Sequence, residues 1–585
     1  LHQLELSQRE IGGDGYPYGL QLILSGLSAA IHRGDPAQLL NLDPVIESLR
    51  EKIKDASYIK QLVKELLLDN PHRVRLTMSP DTGLSMHKEE AERERLAKMK
   101  AAMSDDDKSR VVRRAAELAM RQQQEDDPEV LPKVGLEDVP PEMKIPAAIT
   151  RKIAGTESTL YAQGTNGLVY HEMVLDLPAF DPDQLDMMPF FSSCLTELGV
   201  GDKDYLQVQG WQSSVSGGVS GHSSIRGNSD DVQQTLGYYV FAGKALERNN
   251  EKLSELMRDT IHGVRFDEHD RIGEIISQRR ARREQSVTGN GHALAMSAAS
   301  SGMCPVASLG HRFNGLEGIR ILKAVDDANK EGAVAELAGK FGEIHSKLIA
   351  APRQYMIIGE QEKLDSLVNG FETIWTAEKA EQSFQPFVID RVDETVKQMW
   401  VTNTQVNFCA RAYKTVPMDH PDAAPLSVLG GFLRNGFLHT AIREKGGAYG
   451  GGASHDTNIA AFRFYSYRDP RLNETLDDFD RAIEWMLSNK HEWRMVEEAI
   501  LGVISSIDKP GSPSGEARQA FHNLLHGRTL DKLQAFRQNV LNVRIDDLKR
   551  VTQTYLHPDK ASTAVITNAA TLEQKGNLGL EVINL

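Results

Sequence analysis

Apolar residues along this chain follow three patterns: three- and four-residue spacing, strict alternation, and short continuous runs. The first pattern opens the sequence. Leu and Ile recur from Pro17 to Arg33 and stop at Gly34-Asp-Pro36, and the same spacing returns over Leu39 to Lys54 and Tyr58 to Leu68. Three amphipathic helices are expected there. His72-Arg-Val-Arg-Leu-Thr-Met78 alternates and is closed by Ser79-Pro-Asp-Thr-Gly83, which predicts a strand. About half of residues 87–127 are charged, and the apolar ones form one narrow stripe in each half: Leu96, Met99 and Met103, then Val111, Ala115 and Leu118. Ser104-Asp-Asp-Asp107 between the stripes resembles a capping box. A charged helical hairpin is predicted, either a solvated linker or a binding arm. An extended connector follows, from Asp126 to Pro141.

Two longer stretches repeat one order of elements. The first runs from about Leu160 to Thr376. Leu168 to Leu177 reads as a strand, Asp181 to Leu198 as a helix, and Tyr205 to Val215 and Leu236 to Phe241 as strands about a Gly/Ser-rich turn. Helices dominate from Ala245 to Ala350, and Tyr355-Met-Ile-Ile358 is a closing strand followed by a last helix. The second stretch begins near Glu394, after a linker over 377–393. It places a strand at Gln398 to Ala412, a helix at Ala424 to Ile442 and a Gly-rich strand pair at Ala448 to Tyr467. More helices lead to a closing strand at Ala561 to Thr567. His72–Met78, also preceded by paired helices, reads as a third closing strand whose opening strands are missing.

The expected fold class is therefore α+β. Two complete units each carry a mixed or antiparallel sheet with helices on one face, beside a truncated unit. The expected boundaries are a remnant at 1–83, hairpin and connector at 84–150, and complete units at 151–377 and 394–585.

Composition narrows the function. With 585 residues, the chain has room for several domains at roughly 100–200 residues each. Lys and Arg number 67 against 82 Asp and Glu, a net charge of −15, which argues against nucleic acid as a principal partner. Three distant cysteines, Cys194, Cys304 and Cys409, offer neither a disulfide framework nor a CxxC metal knuckle. No apolar run approaches about 18 residues, so no membrane span and a soluble chain are expected. The opening Leu-His-Gln-Leu-Glu-Leu has no Met and no leader pattern, so residue 1 is not expected to be a natural start, and no compartment follows.

Zinc motifs are missing. His171-Glu172 lacks a His four residues after the first, and Glu268-His269 lacks one three residues before the Glu, position 265 being Arg. Neither HExxH nor HxxEH occurs, and no metal site is expected in this chain. His262 and His269 read as surface or packing residues. Ser213 to His222 is Ser/Gly-rich without GxSxG and reads as a hairpin tip. One constellation stands out, Ala441-Ile-Arg443-Glu-Lys-Gly-Gly-Ala-Tyr449-Gly-Gly-Gly-Ala453. Arg443 is predicted at a helix C-terminus and Tyr449 at the start of a strand. Gly446, Gly447 and Gly450 would let another backbone approach closely. A guanidinium and a phenol suit a peptide carbonyl or a developing oxyanion. The alternative is structural, a helix-capping Arg and a hairpin Tyr.

The stretch Phe437-Leu-His-Thr-Ala-Ile-Arg-Glu-Lys-Gly-Gly-Ala-Tyr-Gly-Gly-Gly452 resembles the C-terminal half of presequence proteases, pitrilysin/insulysin-type zinc metallopeptidases of M16 subfamily C. Phe464-Tyr-Ser-Tyr-Arg-Asp-Pro470, Leu1-His-Gln-Leu-Glu-Leu6 and the charged hairpin resemble them too. The resemblance implies M16-type (LuxS/metallohydrolase-like) domains, four in the parent, forming two halves around a chamber for unfolded peptides. Zinc would be held by an HxxEH motif in the first domain, which is absent here. This chain would then be the tail of domain two, the hairpin, and domains three and four. By the same resemblance Arg443 and Tyr449 would bind substrate backbone and the tetrahedral intermediate, beside Gly446, Gly447 and Gly450. The implied partners are unfolded peptides and the missing N-terminal half, with no cofactor in this chain. A non-catalytic M16 homologue acting as a partner subunit is the alternative.

Overall fold

The computed structural model describes residues 1–13, 15–81, 83–123, 130–375 and 384–585. They divide into two compact units, Glu47–Asp138 and a larger one made of Leu1–Ile46 with Val139–Leu585.

The smaller unit is helical. Tyr58–Val63 continues into a π-helical turn, Lys64–Leu68, and two long helices follow, Leu84–Ala102 and Asp105–Gln123. Ser104 caps the last one. Its Oγ accepts from the Asp107 N–H at 3.2 Å, and Asp107 Oδ2 accepts from the Ser104 N–H at 3.2 Å. The strand expected at His72–Met78 is absent. Those residues are irregular, with Val74, Leu76 and Met78 at 92%, 80% and 86% exposure. Alternation describes a strand's two faces but supplies no neighbour to pair with, and none of the described strands pairs here. The third closing strand expected from the pattern is therefore not formed.

In the larger unit the described strands form two six-stranded sheets. The first contains β1 (Ala148–Ile153), β2 (Thr156–Ala162), β3 (Leu168–Asp176), β4 (Val219–Gly227), β5 (Thr235–Leu246) and β6 (Arg353–Gly359), in the order β1-β2-β6-β3-β5-β4. The second contains β7 (Lys397–Val401), β8 (Phe408–Lys414), β9 (Gly450–Asp456), β10 (Ala461–Tyr467), β11 (Ser562–Thr567) and β12 (Glu581–Asn584), in the order β12-β7-β11-β8-β10-β9. Five strands of each share one topology. The pairs β2–β6 and β7–β11 are parallel, and the remaining pairs of the five are antiparallel. The repeat read from the sequence is thus present in the strands. The sixth strand differs: β1 joins antiparallel from the N-terminal side, and β12 joins parallel from the C-terminal side.

Two local expectations need correction. Tyr205–Val215 is a helix, not a strand. Asp204 caps it, accepting from the Gln207 N–H at 2.9 Å while the Gln207 side chain accepts from the Asp204 N–H at 3.0 Å. Gln398–Ala412 is two strands, β7 and β8, broken by a turn in which Thr404 Oγ1 bonds the Val406 carbonyl at 3.0 Å.

Helices were expected on one face of each sheet, whereas both faces are covered. On β3 of the first sheet, Val169, Met173 and Leu175 meet the sheet's own helices, including Phe341 and Leu253. Leu168, Tyr170 and Val174 face the other way, onto Ala517, Ala520 and Phe521 of the helix Pro513–Leu525, and Leu6 of the N-terminal helix His2–Arg9. Glu172, 3% exposed on that face, is held by Arg518 at 3.0 Å and His522 at 2.9 Å from the same helix. The second sheet receives the reciprocal element. The helix His269–Ser300 bends at Asn290, and its end lays Leu294, Ala295 and Ala298 on Phe408, Ala410 and Ala564. Small side chains there permit close approach, and Gly291 leaves no room for a Cβ beside the Phe408 ring. Each sheet is completed by a helix that lies, in sequence, between strands of the other.

Candidate functional site

The helix Ala423–Leu433 runs on as a π-helical stretch, Arg434–Lys445, and ends in a glycine turn before β9. The Gly447 N–H donates to the Arg443 carbonyl at 3.0 Å and the Ala448 N–H to the Ile442 carbonyl at 3.1 Å. Gly447 has φ +78°, a conformation costly for other residues. Gly446 is buried, and a Cβ there would collide with the Arg471 guanidinium and the Ile442 carbonyl. Arg471 is fixed beneath the turn by Asp478 at 2.9 Å and the Ala441 carbonyl at 3.3 Å. Gly451 closes on Ile442, whereas Gly450 has only open space around its Cβ position.

This turn brings the two sequence-predicted side chains together. The Arg443 guanidinium lies over the Tyr449 ring, 5.6 Å from its centroid. Tyr449 also meets Tyr467 edge-on, centroids 5.5 Å apart at 87°, and its N–H bonds the Tyr467 carbonyl at 3.0 Å. Both Arg443 and Tyr449 are exposed, Tyr449 at 64%. Among the described residues neither makes a side-chain hydrogen bond or ion pair, so the guanidinium and phenol donors are unspent. Of the three candidate glycines, Gly447 and Gly450 lie at this surface and Gly446 lies under it. Sequence reasoning missed Tyr467 and Arg471. Tyr467 lay within the stretch Phe464 to Pro470, which had carried only the family likeness, and Arg471 directly after it.

The repeat supplies an internal control. In the first sheet, Gly217-Gly218 stands between the helix Tyr205–Val215 and β4, where Gly446-Gly447 stands before β9, and Gly218 also has a positive φ of +118°. Counted from the glycine pair, Ser214 and Ser220 occupy the positions of Arg443 and Tyr449. A glycine turn from helix to edge strand therefore forms without the Arg and the Tyr. The Ser213–His222 segment around it is a helix end and the start of β4, not the expected hairpin tip.

Of the groups considered for metal, His171 and Glu268 are otherwise engaged. His171 bonds Asn250 at 2.9 Å, and burial holds its imidazole down to about 4. Glu268 accepts from the Gly199 and Tyr205 N–H groups at 2.7 and 3.1 Å. Among the described residues no group of three His, Cys, Asp or Glu side chains is arranged to hold a metal. Nor is any described helix long and apolar enough to cross a membrane.

The two-sheet architecture is that of M16 peptidase domains. An M16 inactive domain from Pseudomonas fluorescens superimposes with a TM-score of 0.52, covering 72% of this chain and 98% of its own at 15% identity. The first half of the periplasmic protease PqqL from Escherichia coli gives 0.52, covering 75% and 95% at 12% identity. Residues 78–325 match the peptidase M16 (subfamily C) associated family, and residues 397–570 match the family described as PreP C-terminal domain. The chain is a presequence-protease-like protein of subfamily C of the M16 peptidases. It is 27% identical to the mitochondrial presequence protease of Xenopus laevis over 95% of this chain and 56% of that protein. The mitochondrial presequence protease of Yarrowia lipolytica is 28% identical over 97% and 57%. This chain therefore spans little more than half the length of these relatives.

Proposed function

We propose that this chain is the non-zinc-binding C-terminal half of a presequence-protease-like metalloendopeptidase that degrades short unfolded peptides in a closed chamber. In this reading it supplies chamber wall and the Arg443–Tyr449 pair, and the zinc belongs to an N-terminal half not included in the chain. When bound there, the metal would activate the attacking water. Arg443 would hold a substrate carbonyl through its planar fork of donors. The Tyr449 hydroxyl would donate to the oxygen on which negative charge builds. Gly447 and Gly450 would leave room for the peptide backbone.

The observation that carries this reading is the exposed, unspent donor pair on a turn whose counterpart before β4 forms with Ser214 and Ser220. A docking surface for the other half is supported by the helix Tyr18–Ile31, whose Ile23, Leu24 and Ile31 are 65%, 52% and 67% exposed. The test is reconstitution. This chain is mixed with the upstream half of its coding sequence, and zinc content and cleavage of an unstructured peptide are measured for each half and for the mixture. Cleavage confined to the mixture supports the proposal. A mixture that binds but does not cleave supports the partner-subunit alternative.

A further inference from the structure

A cavity of about 600 Å³ opens in the larger unit between residues 140–146 and the helices Trp493–Ile507, Pro513–Leu525 and Leu530–Leu541. Ile145, Ile507, Leu533 and Phe536 give it an apolar wall, and Arg528 lines it as well. Arg528 is 8% exposed. One of its terminal nitrogens donates to the Asn458 amide oxygen, while its Nε is buried without a partner.

The charge on Arg528 is not balanced by its neighbours. The two carboxylates whose field reaches it are Asp419 and Asp456. Asp419 is taken by Lys532 at 2.7 Å and Ser229 Oγ at 2.8 Å, and Asp456 by Arg463 at 3.0 Å. A second guanidinium, Arg226 on β4, is near enough to repel it, and among the described residues Arg226 makes no side-chain hydrogen bond or ion pair. Burial holds both guanidinium groups below the ordinary arginine range. A buried charge without its counter-ion is costly, and a fold gains by admitting an anion to it. A guanidinium prefers a planar carboxylate, which it can grip through two nitrogens.

We propose that this cavity binds an apolar carboxylic acid, its chain along Ile145, Ile507, Leu533 and Phe536 and its carboxylate on Arg528. Two sources share that chemistry, the C-terminus of a peptide ending in a large apolar residue and a medium-chain fatty acid. The site is separate from the Arg443–Tyr449 turn and does not depend on the role proposed for it.

The test is calorimetric titration of the full 585-residue chain with four probes: N-acetyl-phenylalanyl-leucine, its C-terminal amide, decanoate and decanol. At least one acid is expected to bind about 10- to 100-fold more tightly than its neutral counterpart, the usual advantage of a charge-assisted hydrogen bond. Preference confined to the peptide acid identifies a peptide C-terminus as the ligand, and preference confined to decanoate identifies an acyl chain. Arg528→Gln should abolish the preference without lowering the melting temperature, because it removes an unbalanced charge. If that variant does not fold, Leu533→Trp decides: it keeps Arg528, fills the cavity and should abolish acid binding. Equal binding of acid and neutral probe, no binding of either acid, a preference that survives Arg528→Gln, or acid binding unaffected by Leu533→Trp overturns the proposal.

Discussion

The guanidinium of Arg443 rests 5.6 Å from the centre of the Tyr449 ring, across a turn only five residues long. The contact orients two exposed side chains that bury little and hold nothing else. Tyr467 supports the ring from its edge, and Arg471 supports the turn from below. The scaffold is thus made by residues other than the pair it presents.

That division of labour predicts opposite outcomes for neighbouring substitutions. Gly446→Ala places a methyl against Arg471 and Ile442, and Gly447→Ala forces a positive φ costing about 1–2 kcal/mol. Both should lower the denaturation midpoint in urea. Gly450→Ala meets nothing within 4 Å and should leave it unchanged. Equal stability of all three variants would show that the turn is not built as described.

The crossed helices predict joint folding of the two sheets. Phe521, 2% exposed, packs on the outer face of the first sheet although it follows the strands of the second up to β10. Phe521→Ala should cost about 3–5 kcal/mol. Residues 151–377 expressed alone should expose the Tyr170–Val174 face and bind a hydrophobic dye. A soluble, dye-silent fragment with a cooperative melt would contradict this.

Much of this architecture was legible because central strands buried on both faces carry dense apolar runs, as β3 and β11 do. The glycine turn was legible because φ and close approach restrict the residue type. Other elements depended on partners far away in sequence. Tyr205 to Val215 alternates well enough for a strand, and the Asp204–Gln207 cap decides for helix. His72 to Met78 alternates equally well and has no strand beside it. The β1–β2 hairpin went unread because its residues are mostly polar and its turn is Ala154-Gly155, both at positive φ. The crossing of helices between sheets, and Arg471 under the turn, left no periodic trace.

Acid should weaken the larger unit. Burial pushes His171 and His311 down to about 4 and His526 to about 3, from an ordinary value of 6.5. The folded state therefore binds fewer protons than the unfolded chain between pH 6.5 and about 4, and stability falls as pH is lowered through that window. Each of the three can contribute up to about 3 kcal/mol that is present at neutral pH and lost in acid. Melting temperature followed from pH 7.5 to 4.5 should drop steadily, and His526→Gln should flatten the slope. A melting temperature independent of pH would contradict the burial of these rings.

The central claim, that Arg443 and Tyr449 serve chemistry rather than the fold, is tested most directly by one comparison. This chain and its Tyr449→Phe variant are each combined with the upstream half, and steady-state cleavage of an unstructured peptide is measured alongside melting of the same preparations. Loss of one donor to a developing oxyanion should lower kcat by about 10²–10³, more than it raises KM, with stability changed by less than about 0.5 kcal/mol. Arg443→Ala should change both constants, since backbone binding also acts in the ground state. A Tyr449→Phe variant with normal turnover per folded molecule and a lowered melting temperature would contradict the account.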